Sequence, residues 1–154
     1  MHTQPCFIRK YSKELCEKLE KLGLEIMNSD DTTLDGHNYD GKGNHHKIEE
    51  GKAIITYCSS NYGVIYDIDY TIKSGRFDCE TNEELFLALA SLRDDNDYMQ
   101  IFICGNDFVL CEYNNWNDMC SVLYNENKYT MEVLNNANKA TAKDLILFYK
   151  YNYK

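Results

Sequence analysis

The sequence lacks the features that mark several classes of protein. It contains one proline, no run of about 18 apolar residues, and no basic start followed by an apolar segment. We therefore expect neither a membrane span nor a signal peptide, and we place the protein in the cytoplasm. The motifs GxGxxG, GxxxxGK(S/T) and GxSxG are absent. Seven cysteines occur without CxxC spacing, which favours reduced, buried thiols over a disulfide framework or a zinc site.

Positive charge is also scarce. The 25 acidic residues outnumber the 16 basic ones, and the formal net charge is -9. Because an acidic surface repels phosphates, we expect no binding to duplex nucleic acid or to anionic membranes, and a basic partner suits the chain better. The 154 residues, 44% of them hydrophobic, are enough for one packed core, and no linker composition divides them. We predict a single domain over residues 1–154.

The clearest local pattern lies in the middle of the chain. Thr81 and Glu84 have the spacing of a capping box, and the helix predicted from Asn82 to Arg93 has almost no polar face. A helix that is apolar on all sides is predicted to be buried. After it, Met99 to Cys104 and Phe108 to Tyr113 form a predicted hairpin whose two faces are both apolar, which places it in the middle of a sheet.

Further strands and two flanking helices complete the predicted fold. Val64 to Ile72 alternates between apolar and polar residues, which indicates a strand with one wet face, and Tyr129 to Leu134 alternates in the same way. Helices are predicted from Lys13 to Leu22 and from Ala142 to Lys150. The expected class is α+β, with a largely antiparallel sheet of five to seven strands packed against the central helix.

A long polar segment at 28–51 exceeds an ordinary connection. Asp31, Thr33 and Asp35 begin like a calcium loop, but Lys42 stands where an EF-hand needs glutamate. We predict a polar loop that becomes ordered on a partner, with no metal and no cofactor. The alternative is a metal-dependent hydrolase, because imidazoles and carboxylates are metal ligands. Its candidate ligands are His37, His45 and His46, with Asp35 and Asp40 beside them.

Thirteen tyrosines and a few cations near predicted strand ends offer a binding surface. Tyrosine suits half-buried strands, but it is also enriched where surfaces bind protein or stack on nucleobases. A nucleotide pocket needs cations as well. Alternatively, the acidic run DDND at 94–97 and the Asp67, Asp69 pair form a patch that occupies a basic groove on a target. The candidate binding residues are Arg9, Lys10, Tyr66, Asp67, Asp69, Tyr70, Arg76 and Trp116.

Three blocks of the sequence point to a family. FIRKYSKELCEKLEKLG at 7–23, DCETNEELFLALASLRDDNDYMQIF at 78–102 and KATAKDLILFYK at 139–150 together resemble small proteins encoded by phages and mobile elements of gut Bacteroidota. The blocks describe a fold and bring no catalytic residues with them. What the resemblance implies is a viral accessory protein that acts on host machinery by binding it, in the host cell cytoplasm.

The resulting expectation is a non-enzymatic protein that binds and inhibits a host component, with antiviral defence as its setting. One alternative is a sponge, a homo-oligomer that sequesters a nucleotide second messenger in a pocket of tyrosines and arginines. The acidic charge favours a protein partner, and the tyrosine content favours the sponge.

Overall fold

The computed structural model describes residues 2–26, 52–57, 59–65, 68–73 and 75–152, and for 68–70 and 151–152 it describes only the backbone. Five strands form a first sheet: β1 (Cys6–Ile8), β2 (Glu25–Ile26), β3 (Ala53–Thr56), β4 (Asn61–Ile65) and β5 (Phe77–Asp78). Their order is β2-β4-β3-β1-β5. The central pairs β1–β3 and β3–β4 are antiparallel, whereas the short edge strands β5 and β2 run parallel to their neighbours.

Three further strands form a second sheet: β6 (Ile101–Cys104), β7 (Asp107–Leu110) and β8 (Asn138–Lys139). Both pairs are antiparallel, and β6 is the middle strand. The predicted hairpin is confirmed, with Cys104 opposite Asp107 and Gly105 at a left-handed φ of 64° in the turn. The α+β class is confirmed too, but the single sheet was wrong, because the described strands form two sheets that share no pairing.

The helices are α1 (Lys13–Lys21), α2 (Ile68–Lys73), α3 (Glu83–Ala90), α4 (Trp116–Asn125), α5 (Met131–Asn135) and α6 (Ala142–Ile146), and a π-helical segment (Leu147–Asn152) continues α6. The central helix α3 is shorter than predicted and begins differently. Its N-cap is Asn82, whose side chain accepts the Leu85 N–H at 3.0 Å, instead of the predicted Thr81. In the described ranges, no helix is both long enough and apolar enough to cross a membrane.

Two predicted strands are helical over part of their length. Only the first part of Val64 to Ile72 is extended, because β4 ends at Ile65 and α2 begins at Ile68. The apolar residues of that stretch also recur at helical spacing, so this short stretch fits both the two-residue period of a strand and the 3.6-residue period of a helix. The strand predicted from Tyr129 to Leu134 was wrong for a clearer reason. The Thr130 hydroxyl accepts the Val133 N–H at 3.3 Å and caps α5, which a strand assignment overlooks.

The core has three parts. The largest lies where α1, α3 and α6 pack on one face of the first sheet, and Leu85, Phe86 and Leu89 are fully buried in it. Ile101 and Ile103 of β6 pack against this cluster, whereas the alternate residues Phe102 and Cys104 face a second core beneath α4 and α5. β6 is therefore covered on both faces and is the middle strand, as predicted, whereas β7, which was predicted to lie in the middle of a sheet too, is an edge strand. A small third cluster covers the opposite face of the first sheet.

Candidate functional site

The predicted cationic site is not assembled. The Arg9 guanidinium binds the Asp78 carboxylate, with Nε 3.1 Å from Oδ2, and Lys10 Nζ lies 3.0 Å from Glu83 Oε2. Arg76 donates from Nε to the Thr56 carbonyl at 2.9 Å. Because β1 and β5 are parallel, with Cys6 beside Phe77, Arg9 and Arg76 lie at opposite ends of the pair, roughly 13 Å apart along the strands. These cations serve internal contacts at separate places.

Trp116 lies in the second core. Its ring stacks on Phe102 with centroids 4.3 Å apart, and Nε1 donates to the Leu134 carbonyl at 3.2 Å. Only 9% of the residue is exposed. The indole is therefore packed inside the second core.

The remaining predicted residues are not brought to a described site. Asp69 and Tyr70 belong to the backbone of α2, so the alternation that placed them on opposite strand faces does not exist. The positions of Tyr66, Asp67, His37, His45 and His46 lie outside the described residues, as do Asp31, Asp35 and Asp40. Within the described ranges, no group of three or more histidine, cysteine or acidic side chains has the geometry to hold a metal.

An apolar groove of about 440 Å³ lies between α1, α3 and the β6–β7 hairpin. This volume is within the range of about 300–1,000 Å³ that is typical of ligand pockets. The groove residues of α3 are spaced i, i+3, i+4 and i+7, so they form one stripe: Glu84, Leu87, Ala88 and Ser91. The rest of the lining consists of Lys18, Lys21, Leu22, Tyr98, Met99, Ile101, Leu110 and Tyr149.

Sequence reasoning missed this groove because it predicted that α3 is buried on every side. Leu85, Phe86 and Leu89 are covered by the chain, but Leu87, on the groove stripe, is only partly buried. On the other wall Leu110 is 39% exposed. The available signal was the uniform apolarity of α3, because one sheet and two short helices cannot bury apolar side chains on every side of a helix.

Gln100 fixes the hairpin to the end of α3. This residue is 1% exposed, and its amide nitrogen donates to the Ser91 carbonyl at 2.6 Å while its amide oxygen accepts the Arg93 N–H at 3.0 Å. The Ser91 carbonyl is one of the acceptors that the C-terminal end of a helix leaves without an intrahelical bond, and the Arg93 N–H lies just beyond that end. The buried amide satisfies them and thereby sets the distance between α3 and the hairpin, which is the width of the groove.

Met99 has an unusual backbone. Its φ is 62°, in the left-handed region that a bulky side chain rarely adopts. Met99 and Gln100 together face one residue, Cys111, because the Met99 N–H donates to the Cys111 carbonyl at 2.7 Å and the Cys111 N–H donates to the Gln100 carbonyl at 2.8 Å. This is a β-bulge, in which glycine commonly takes the left-handed position. Here methionine takes it, and its side chain lines the groove.

The charges at the rim of the groove are unevenly distributed. Lys18 and Lys21 stand on the α1 side, and Glu84 stands on the α3 side. Lys18 Nζ lies 2.7 Å from Glu83 Oε1, and Lys18, followed by Lys10, lowers the pKa of the Glu83 carboxyl. Lys21 makes no salt bridge with any residue that the structure describes. The α1 rim therefore offers a cation to a partner.

Comparison of the chain with protein-family models, with curated proteins and with solved structures finds no match. Function is therefore argued from the geometry of the groove and from the sequence.

Proposed function

We propose that the chain is a non-enzymatic accessory protein of phage type that binds and inhibits a host protein of antiviral defence, and that the groove holds an apolar segment of this partner. The observation that carries the binding role is the apolar lining, which the chain leaves open. Leu110 and Tyr98 are 39% and 40% exposed at the groove. Methionine and tyrosine are also enriched at protein interfaces, and both occur in the lining.

The chemistry of the groove supports binding over catalysis. The Ser91 hydroxyl donates to the Ala88 carbonyl at 2.8 Å, and the lining that the structure describes contains no histidine that could activate a hydroxyl. The host setting rests on the resemblance to phage proteins. A nucleotide sponge has less support, because Arg9 and Lys10 are paired with carboxylates instead of converging on a pocket.

Two variants with the same change of charge test the proposal. Leu110→Lys places an ammonium group in the groove, whereas Met131→Lys places one at a residue of α5 that is 42% exposed and lies outside the groove lining. We expect wild type and Met131→Lys to retain the same host protein through purification and to impair the same defence against infection. Leu110→Lys should lose both, because burying a charge in an apolar contact is costly.

The circular dichroism and the thermal midpoint of each variant provide the folding control. Retention of the partner by a folded Leu110→Lys would show that the groove is not the binding surface. Thermal stabilisation by a cyclic nucleotide, with no host protein retained, would overturn the proposal of a protein inhibitor in favour of a nucleotide sponge.

A further inference from the structure

Resting on the proposed function, we infer that the groove receives an amphipathic helix of the partner, oriented with its acidic flank beside α1, and that Met99 keeps its left-handed backbone to complete this contact. Three observations carry the inference: the helical walls, the distribution of charge along the rim, and the methionine in the bulge.

The walls favour a helix as the occupant. Side chains from α1 and α3 reach the groove at spacings of three and four residues, so each helix presents a ridge. A third helix can pack its own ridge between two others, and its residues at i, i+3, i+4 and i+7 then meet the apolar lining. The alternative occupant, an extended strand, would need the outer edge of β7. Pairing along that edge would leave the ridges of α1 and α3 without a partner, whereas a helix in the groove packs against both.

The rim determines the orientation of the helix. Lys18 and Lys21 lie on the α1 side, and Glu84 lies on the α3 side. A carboxylate on the partner is attracted by Lys21, because Lys18 is already paired with Glu83, so the acidic flank lies on the α1 side. The net charge of -9 makes the opposite prediction, since the chain as a whole attracts basic peptides. At physiological salt, however, charges more than about 8 Å apart are largely screened, so the nearest groups dominate.

Met99 links the groove to backbone strain. Glycine at this bulge would relieve the left-handed conformation, but it would also remove a side chain from the groove lining. A methionine kept there under strain is explained if its flexible thioether packs against a partner. Met99→Gly should therefore separate stability from binding.

The experiment uses the full chain and two synthetic amphipathic peptides of about four helical turns, roughly 14 residues. Both carry the same leucine face, and their flanks are glutamate in one and lysine in the other. Fluorescence anisotropy should give at least about tenfold tighter binding of the glutamate peptide, a difference of about 1.4 kcal/mol. Raising the salt should narrow this difference. Lys21→Glu should abolish the preference, whereas Lys13→Glu, on the same helix but outside the groove lining, should leave it unchanged.

Met99→Gly should bind the glutamate peptide at least about tenfold more weakly, with a thermal midpoint that is unchanged or higher. A lower midpoint would show that the methionine serves folding and would overturn its assigned role. Preference for the lysine peptide would overturn the orientation while leaving groove binding intact, provided that Leu110→Lys weakens both peptides. Binding of neither peptide would count against the groove itself, and thus against the proposed function. Displacement of the peptide by equimolar long-chain fatty acid would show that the occupant of the groove is a small amphiphile instead of a helix.

Discussion

Replacement of Leu89 by alanine, compared with the same replacement of Leu87, tests the position of α3 in the fold. Leu89 is fully buried, so the change removes three carbon groups from the core at about 0.8 kcal/mol each and leaves a cavity. We expect the free energy of unfolding to decrease by about 3–4 kcal/mol, within the range of 2–5 kcal/mol observed for such changes. Leu87 lies two residues away, but it borders the open groove, where solvent fills the space that alanine leaves. Its replacement should cost about 1 kcal/mol or less.

Urea denaturation of the two variants measures this difference, with Trp116 fluorescence reporting the second core and far-ultraviolet circular dichroism reporting the whole chain. The comparison requires equal m values and coincident transitions, which also test whether both sheets unfold as one unit. A cost below about 0.5 kcal/mol at Leu89 would refute the assignment of α3 as the central helix. Equal costs at the two positions would instead refute the open groove.

Three further predictions concern the cores. Burial, followed by the Arg93 charge, lowers the pKa of His2 below its ordinary value of 6.5, so the unfolded chain binds the proton more readily than the folded chain. The urea concentration at the unfolding midpoint should therefore fall as the pH decreases from about 7.5 to about 5.5. His2→Leu should remove this dependence of the midpoint on pH. Trp116→Phe keeps an aromatic ring on Phe102 but loses the donor to the Leu134 carbonyl, so the free energy of unfolding should decrease by about 1–3 kcal/mol. Urea denaturation followed by far-ultraviolet circular dichroism measures this change, because the variant contains no tryptophan. No decrease would mean that another donor replaces the indole. The six cysteines that the structure describes are buried, so iodoacetamide should label the folded chain at Cys58 at most and should label all seven cysteines after unfolding. Mass spectrometry counts the labels, and two labels on the folded chain would contradict this burial.

Elements with strong local signals were predictable from the sequence. The helix predicted from Lys13 to Leu22 is α1, which Ser12 caps with its hydroxyl accepting the Leu15 N–H at 3.1 Å and which Gly23 follows at a φ of 98°. The turn of the predicted hairpin, from Cys104 to Asp107, likewise contains Gly105 at a left-handed φ of 64°. In each case one residue type satisfies a backbone requirement that few others satisfy, so the signal is independent of the rest of the fold.

Elements that depend on tertiary contacts were not predictable. β8 is two residues long and has no strand pattern, since its pairing with β6 at Asn138 and Lys139 comes from position alone. The strand predicted from Met99 begins instead at Ile101, because the bulge at Met99 turns the chain. The groove depends on the same turn and on the buried amide of Gln100. None of these features has a signature within a window of a few residues.

The net charge of the whole sequence and the charges beside the groove predict different partners. The sum of charges favours a basic partner, and the DDND run at 94–97 was the candidate patch. In the structure these carboxylates are used internally: Asp95 Oδ1 accepts from Arg93 Nε at 2.8 Å, and Asp97 lies 3.1 Å from Lys139 Nζ. Asp97 also accepts the Trp116 N–H at 2.9 Å, so it holds the start of α4. A carboxylate that already satisfies a cation and a helix terminus has little capacity left for a partner, whereas the α1 rim has a lysine without an internal salt bridge among the described residues. Binding is therefore expected to follow the charge beside the groove and not the charge of the chain, which is the distinction that the glutamate and lysine peptides measure.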